Sequence, residues 1–191
     1  RVMATLSDVR RMHTYEAFAD GLLAMVEDGS WSLKNILSTA KFRVGVAPFP
    51  AGPDRRATLA TTDGFGIYAG TKHPEAAWEL LKFLISKDYG RAMAQAYFLQ
   101  PARISLVDDW IGYIRQEFPD KAGDMNLAAF ADGQIKGYSV VAEVFANMSD
   151  ANRIAQEAWD RILTLGQEPT DLMKTASQQI QDAQSIRGGP Q

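Results

Sequence analysis

The chain has 191 residues, 46% hydrophobic and 23% charged, with a formal net charge of −3. That is the composition of a globular domain with enough chain for one substantial core or parts of two, and it excludes disordered and fibrous classes. The mild acidity excludes a basic nucleic-acid groove, because Arg10-Arg11, Arg55-Arg56 and the basic residues of 34–43 are too sparse to line one.

There is no cysteine, hence no disulfide framework or thiolate metal site, and the two histidines, His13 and His73, are far apart. No metal and no cofactor is expected. The longest apolar run, near 78–85, is broken by Glu79 and Lys82 and falls short of the roughly 18–20 residues that cross a bilayer. The sequence opens on Arg1 without a secretory signal and runs straight into patterned sequence, so it is expected to be a piece of a longer chain.

In chain order, residues 1–12 are short and mixed and are expected to be helical. Tyr15 and Phe18, three apart, predict a helix over 14–21 stopped at Gly21. The apolar run 22–26 predicts a buried strand, closed by the turn chemistry of Glu27-Asp28-Gly29. Ser30 is expected to cap a helix reaching Ile36, with Trp31 in its first turn. Arg43-Val44-Gly45-Val46-Ala47 predicts a second strand. Pro48, Pro50, Gly52 and Pro53 then impose an extended loop, since proline fixes φ and cannot donate to a ladder. A third strand is expected over 65–68, after Asp63-Gly64.

Pro74 suits a first helical turn, and Ala77, Leu80, Leu81, Leu84 and Ile85 follow at helical spacing. Ser86 is expected to cap the next helix, to about Tyr97. Pro101 ends that region. Residues 106–118 predict a short amphipathic helix bearing Trp110, and 120–137 look irregular. Val141, Val144, Phe145 and Met148, then Ala155, Ala158, Trp159 and Ile162, predict two helical stretches broken at Ser149-Asp150. Gly166 stops the second. Leu172, Ala176, Ile180 and Ala183 mark a final helix, and 187–191 are expected to be a disordered tail. Helices outnumber the strands and separate them, which predicts an α/β fold.

The blocks Phe18-x-x-Gly21-x-x-Ala24-Met25-x-x-x-Gly29-x-Trp31, then Phe42 through Pro53, Gly64-Phe65-Gly66-Ile67, and Pro74-Glu75-Ala76-Ala77-Trp78 with Phe83-Leu84-Ile85-Ser86 resemble extracellular solute-binding proteins of the maltodextrin-binding type. Order and spacing of four blocks over about ninety residues carry the resemblance; the remaining half matches only in helical texture. One departure is Leu22, where many relatives place a lysine.

The resemblance implies a type II periplasmic-binding-protein fold, two α/β lobes around a cleft, here incomplete and helix-rich as a C-terminal fragment. Residues 1–61 would belong to the C-terminal lobe, 62–103 to the N-terminal lobe reached through a hinge, and 104–186 to the C-terminal lobe again. It further implies a monomeric, non-catalytic protein that delivers a small solute, a sugar or sugar derivative, to the permease subunits of an ABC importer. Its place would be periplasmic or extracellular, with a lipid anchor on a preceding signal as one form.

Six residues stand out as ligand-binding candidates, each with a plainer reading. An aromatic face can stack on the apolar face of a sugar, which suits Trp31, although a core residue pinning a helix start explains it as well. Ser30 beside it has the capping role. Asp63 could accept hydroxyl hydrogen bonds while Gly64 lets backbone approach, or the pair is an Asp-Gly turn. Arg103 offers a planar fork to an anion or hydroxyl pair, or lies on the surface. Tyr138 supplies a second ring or begins a core helix. Trp78, Trp110 and Trp159 are expected in the core, and Asp108-Asp109 in a helix first turn where the dipole favours them.

The rival class is a carbohydrate-active hydrolase using paired carboxylates. Acidic residues are plentiful, yet no local pattern singles out an acid and a base. No Gly-x-Ser-x-Gly elbow or phosphate-binding glycine loop is present either.

Overall fold

The computed structural model describes residues 12–141 and 145–185, which fall into two compact units with those bounds. Residues 1–11 of the helix expected over 1–12, Val144, and the tail expected at 187–191 lie outside the described residues.

In the first unit, α1 (Thr14–Ala19) starts where the Glu16 carboxylate accepts the His13 backbone N–H at 2.8 Å, and Gly21 at φ +79° ends the expected helix. A 3-10 turn (Ser30–Ser32) leads into α2 (Leu33–Thr39). Ser30 does not cap it. The buried Ser32 hydroxyl donates instead to the Gly29 carbonyl at 3.0 Å, tightening the turn from inside. At the other end of α2 the Lys121 ammonium donates to the carbonyls of Leu37 and Ala40, each at 2.6 Å, which neutralises the negative end of the helix.

The three strands expected at 22–26, 43–47 and 65–68 do not form. Leu23, Val26, Val44 and Val46 do turn towards the core, but no neighbouring segment offers them a ladder. The only ladder among the described residues joins β1 (Thr58–Ala60) to β2 (Ser139–Val141), in parallel, with Thr58 opposite Ser139 and Ala60 opposite Val141. Val141 had been expected in a helix.

α3 (Pro74–Leu84) and α4 (Lys87–Tyr97) follow the sequence closely, with Pro74 in the first turn of α3 and the Ser86 hydroxyl accepting the Tyr89 N–H at 3.2 Å. α3 buries no residue, and Trp78, expected in the core, is exposed. α4 ends on Phe98, whose φ of +57° places a non-glycine residue in the left-handed region. A second 3-10 turn (Ile104–Leu106) enters α5 (Val107–Glu117), with Asp108 and Asp109 in its first turn as expected.

Two helices occupy the stretch that looked irregular: α6 (Pro119–Ala122), opened by its proline, and α7 (Ala129–Ile135). Gly133 of α7 sits under the ladder, where a Cβ would lie 2.4 Å from the Thr58 methyl and 2.9 Å from the Ser139 hydroxyl, so no side chain fits.

The core of this unit gathers Phe18, Leu33, Leu37, Phe98, Trp110 and Ile114 with their neighbours. The end of α4 therefore shares a core with α2, whereas residues 61–70 are exposed throughout. The second unit is a helical hairpin of α8 (Met148–Leu165) and α9 (Pro169–Ser185), in which Ile154 and Ala158 pack against Ala176, Ile180 and Ala183. The break expected at Ser149-Asp150 is instead the first turn of α8, because the Asn147 side chain caps it by accepting the Asp150 N–H. Gly166 at φ +63° closes it as expected. Trp159, expected in the core, is 46% exposed. Helices and one small parallel sheet make a helix-rich structure compatible with an α/β fold.

Candidate functional site

Trp31 lies in the 3-10 turn that precedes α2 and is 59% exposed, which answers the core reading of this residue. Its ring lies against Gly29, where a Cβ would meet the Cζ3 atom at 2.1 Å. Any side chain at 29 would displace the indole. The backbone N–H of Gly29 in turn donates to the Asp28 carboxylate at 2.7 Å. Gly29 thus has the Asp28 carboxylate on its N–H and the Trp31 indole against it, an acceptor and an apolar ring three positions apart, the pairing that suits a molecule with one apolar face and a hydroxylated edge. Sequence reasoning treated Asp28 as turn chemistry alone; its position before a glycine that must stay bare was the available signal.

Ser30 is half-buried in the same turn. Asp63 and Gly64 lie in the fully exposed stretch 61–70, in neither a turn nor a close contact: a Cβ on Gly64 would meet nothing within 4 Å. Arg103 is engaged. Its guanidinium donates to the Ile85 carbonyl from Nε at 3.3 Å and from one terminal nitrogen at 3.0 Å, which covers the carboxyl end of α3.

Tyr138 is half-buried just before β2, and its backbone ties two elements together: its carbonyl accepts the Thr58 N–H at 3.1 Å and its N–H donates to the Gly133 carbonyl at 2.9 Å. The Arg56 guanidinium lies 5.7 Å from its ring centroid, a cation–π distance. Its hydroxyl and that of Ser139 are buried without a partner, which leaves two donors available in one corner. No hydrogen bond, ion pair or ring contact joins any two of the six candidates.

Two surface clefts lie elsewhere. One, of 440 Å³, is bordered by Lys41, Arg43 and Lys121 with Ser38 and Thr39. The other, of 290 Å³, lies between Phe65, Ile67 and Tyr68 and the Ala77, Leu80 and Leu84 side of α3. Carboxylates with a clear shift move downward. The Arg43 hydrogen bond holds Asp124 below the usual range, and the Thr170 hydroxyl and N–H do the same for Glu168. Among the described residues no group of three acidic, histidine or cysteine side chains converges as a metal site, and no helix is long and apolar enough to cross a membrane.

No curated protein matches the chain. Residues 8–91, from before α1 into α4, match the model of the family described as bacterial extracellular solute-binding protein. That match spans 84 of the 191 residues and is a likeness of this stretch to extracellular solute-binding proteins.

Proposed function

We propose that this chain is part of the substrate-binding component of an ABC importer, and that it captures a sugar or sugar derivative in a cleft between two lobes. The observation that carries the reading is the exposed Trp31 ring, fixed over Gly29 inside the stretch that matches the solute-binding family. The indole supplies the stacking face, and Ser30 and Asp28 beside it supply hydrogen-bonding groups for hydroxyls. Asp63 and Gly64 are the acceptor and the close-approach backbone of the opposite wall, and Tyr138, with its unpartnered hydroxyl, is the second ring. Arg103 retains donors beyond those given to Ile85 and contributes them at the rim. The protein acts by binding alone and hands the solute to permease subunits, as a monomer held in the periplasm or at the outer face of the membrane, in one form by a lipid anchor.

The lobe division proposed with this function places residues 1–61 and 104–186 in one lobe and 62–103 in the other. The loop rich in proline, exposed from 49 to 56, and the exposed stretch 61–70 support a crossing between 53 and 63. The common core of Phe98 and Leu37 weighs against carrying the second lobe as far as 103. Pairing of β1 with β2 means that any movement at the first crossing is transmitted to residues 139–141.

The test is calorimetric titration of mono- and oligosaccharides into the protein made from its complete reading frame, beside a turnover assay on aryl glycosides. Heat of binding without turnover is expected. Turnover, or silence with every sugar while another solute class binds, would remove the sugar-capture reading.

A further inference from the structure

Gly29 is held at both ends by its neighbours. Its N–H donates to the Asp28 carboxylate at 2.7 Å, and its carbonyl accepts the Ser32 hydroxyl at 3.0 Å and the Ser32 N–H at 3.3 Å. Ser32 is 2% exposed and is the one fully buried polar side chain among the described residues. It also stands at the N-cap of α2, where a serine hydroxyl ordinarily accepts a first-turn N–H, yet it caps nothing. Either use would satisfy a buried hydroxyl, so burial alone does not choose between them. The hydroxyl goes to the turn that carries Trp31. Gly29 is the seat of that ring: the Cε3–Cζ3–Cη2 edge of the indole comes within 2.4 Å of where a Cβ would stand. The opposite edge, with the indole N–H, makes no hydrogen bond among the described residues.

We propose that Ser32 is a positioning residue for solute, locking Gly29 so that the Trp31 ring is held by one edge and presents the other before solute arrives. The inference rests on the reading of Trp31 as the stacking face and adds what keeps that face in place. Within the turn 30–32 only Ser32 is buried, so no other side chain of the turn anchors it. An exposed ring left free samples several rotamers, and solute binding then carries the cost of selecting one. A ring seated in advance avoids that cost. Asp28 cannot substitute for Ser32, because it holds the N–H side of Gly29 while Trp31 follows from the carbonyl side.

NMR with labelled glycine on the protein made from its complete reading frame tests this without ligand. The ring current of Trp31 sets the Gly29 α-proton resonances away from ordinary glycine values. Ser32→Ala removes only the hydroxyl and is expected to bring them most of the way back, as Trp31→Ala does fully. Ser32→Cys, of similar size and a weak donor, is expected to lie between, and it carries the comparison should the alanine variant not fold. Calorimetry with the same mono- and oligosaccharides gives the second readout. Ser32→Ala is expected to weaken binding about threefold to tenfold, and to weaken it no further once Trp31 is alanine. Gly29 resonances at ordinary values in the unaltered protein, or unmoved by either Ser32 variant, overturn the proposal. So does an equal loss of affinity from Ser32→Ala with and without the Trp31 ring, the mark of a hydroxyl that only stabilises the fold. If no saccharide gives heat while Ser32→Ala moves Gly29, the sugar reading fails and the positioning of Trp31 by Ser32 stands.

Discussion

The indole N–H of Trp110 donates to the carbonyl oxygen of Phe98 at 2.8 Å, joining the middle of α5 to the residue that ends α4. Both side chains are fully buried, and Phe98 stands at φ +57°, where a residue with a Cβ persists only if its surroundings hold it. Lys34 of α2 reinforces the same point, donating to the Ala96 carbonyl at 2.8 Å and lying 4.9 Å from the Phe98 ring centroid. Three helices therefore meet at one left-handed residue.

Trp110→Phe keeps most of the ring volume and removes the donor. The Phe98 carbonyl is then buried without a partner, at a cost of about 1–3 kcal/mol. Trp110→Ala adds a cavity and is expected to cost about 3–5 kcal/mol. Urea melts of both variants measure the difference. Equal, small losses would show that the hydrogen bond and the packing at this junction contribute little.

Trp31→Ala is expected to separate binding from stability in the protein made from its complete reading frame. A ring that is 59% exposed has little burial to lose, so stability falls by less than about 1 kcal/mol. Affinity for the solute is expected to fall by about 1–3 kcal/mol, roughly fivefold to over a hundredfold. A lowered denaturation midpoint with unchanged affinity would return Trp31 to a structural role. Gly29→Ala gives a second reading of the same site, because its Cβ evicts the indole without altering Trp31 itself.

Arg103→Met keeps an unbranched stem and withdraws both hydrogen bonds from the Ile85 carbonyl. Water reaches this exposed helix end, so the expected loss of stability is small, about 0.5–1 kcal/mol. A rim contact to solute would also make affinity fall in this variant. Calorimetry with unchanged affinity would confine Arg103 to holding the corner between α3 and α4.

Helices of this chain were legible in the sequence wherever their ends carried local chemistry. Pro74, Ser86, Gly21 and Gly166 each act on their own backbone, so spacing and residue type were enough to place them. Strands were not, because a strand is a property of two segments. Val44 and Val46 have the residue types of a strand and point into the core, yet no ladder forms there. Thr58, Leu59 and Ala60 carry a weaker pattern and pair with residues just over eighty positions away. α7 was missed for a related reason, since Gly133 reads as a breaker until the ladder above it is known to exclude a Cβ. At the candidate site the 59% exposure of Trp31 decides against its core reading, a choice that residue type and spacing had left open. The engagement of Arg103 by Ile85 depends on a tertiary contact that spacing cannot reveal.

Arg43 and Asp124 form an exposed ion pair that raises the arginine and lowers the carboxylic acid below its ordinary value through a hydrogen bond and direct charge attraction. A carboxylate whose folded value is depressed contributes stability above its unfolded value, near about 3.9 for aspartate. That contribution is lost as pH falls through the folded value. Arg43→Met is therefore expected to move the Asp124 titration upward towards the unfolded value, as followed by carboxyl NMR shifts. A titration that does not move would mean the pair is not formed in solution.

The last expectation concerns α3. Trp78 is 52%, Leu80 58% and Phe83 55% exposed, and the helix buries no residue, although its apolar positions follow helical spacing from Ala77 to Leu84. Phe65 and Tyr68 stand across the adjoining cleft and are exposed as well. Contiguous apolar surface of this kind, with polar groups only at its margins, drives association when nothing covers it. The 191-residue chain is therefore expected to self-associate with rising concentration in light scattering and to bind a hydrophobic dye strongly. Leu80→Lys and Phe83→Lys place charges on the face without removing a buried contact, so they are expected to lower both signals while the helical content by circular dichroism holds. The same chain is expected to show no micromolar sugar affinity, about −8 kcal/mol on the binding scale, because the candidates on Trp31 and Asp63 are not brought together in it. A dye-silent monomer with a sharp melt and micromolar sugar binding would defeat both expectations, and would mean that the α3 face needs no cover and the binding site is already whole.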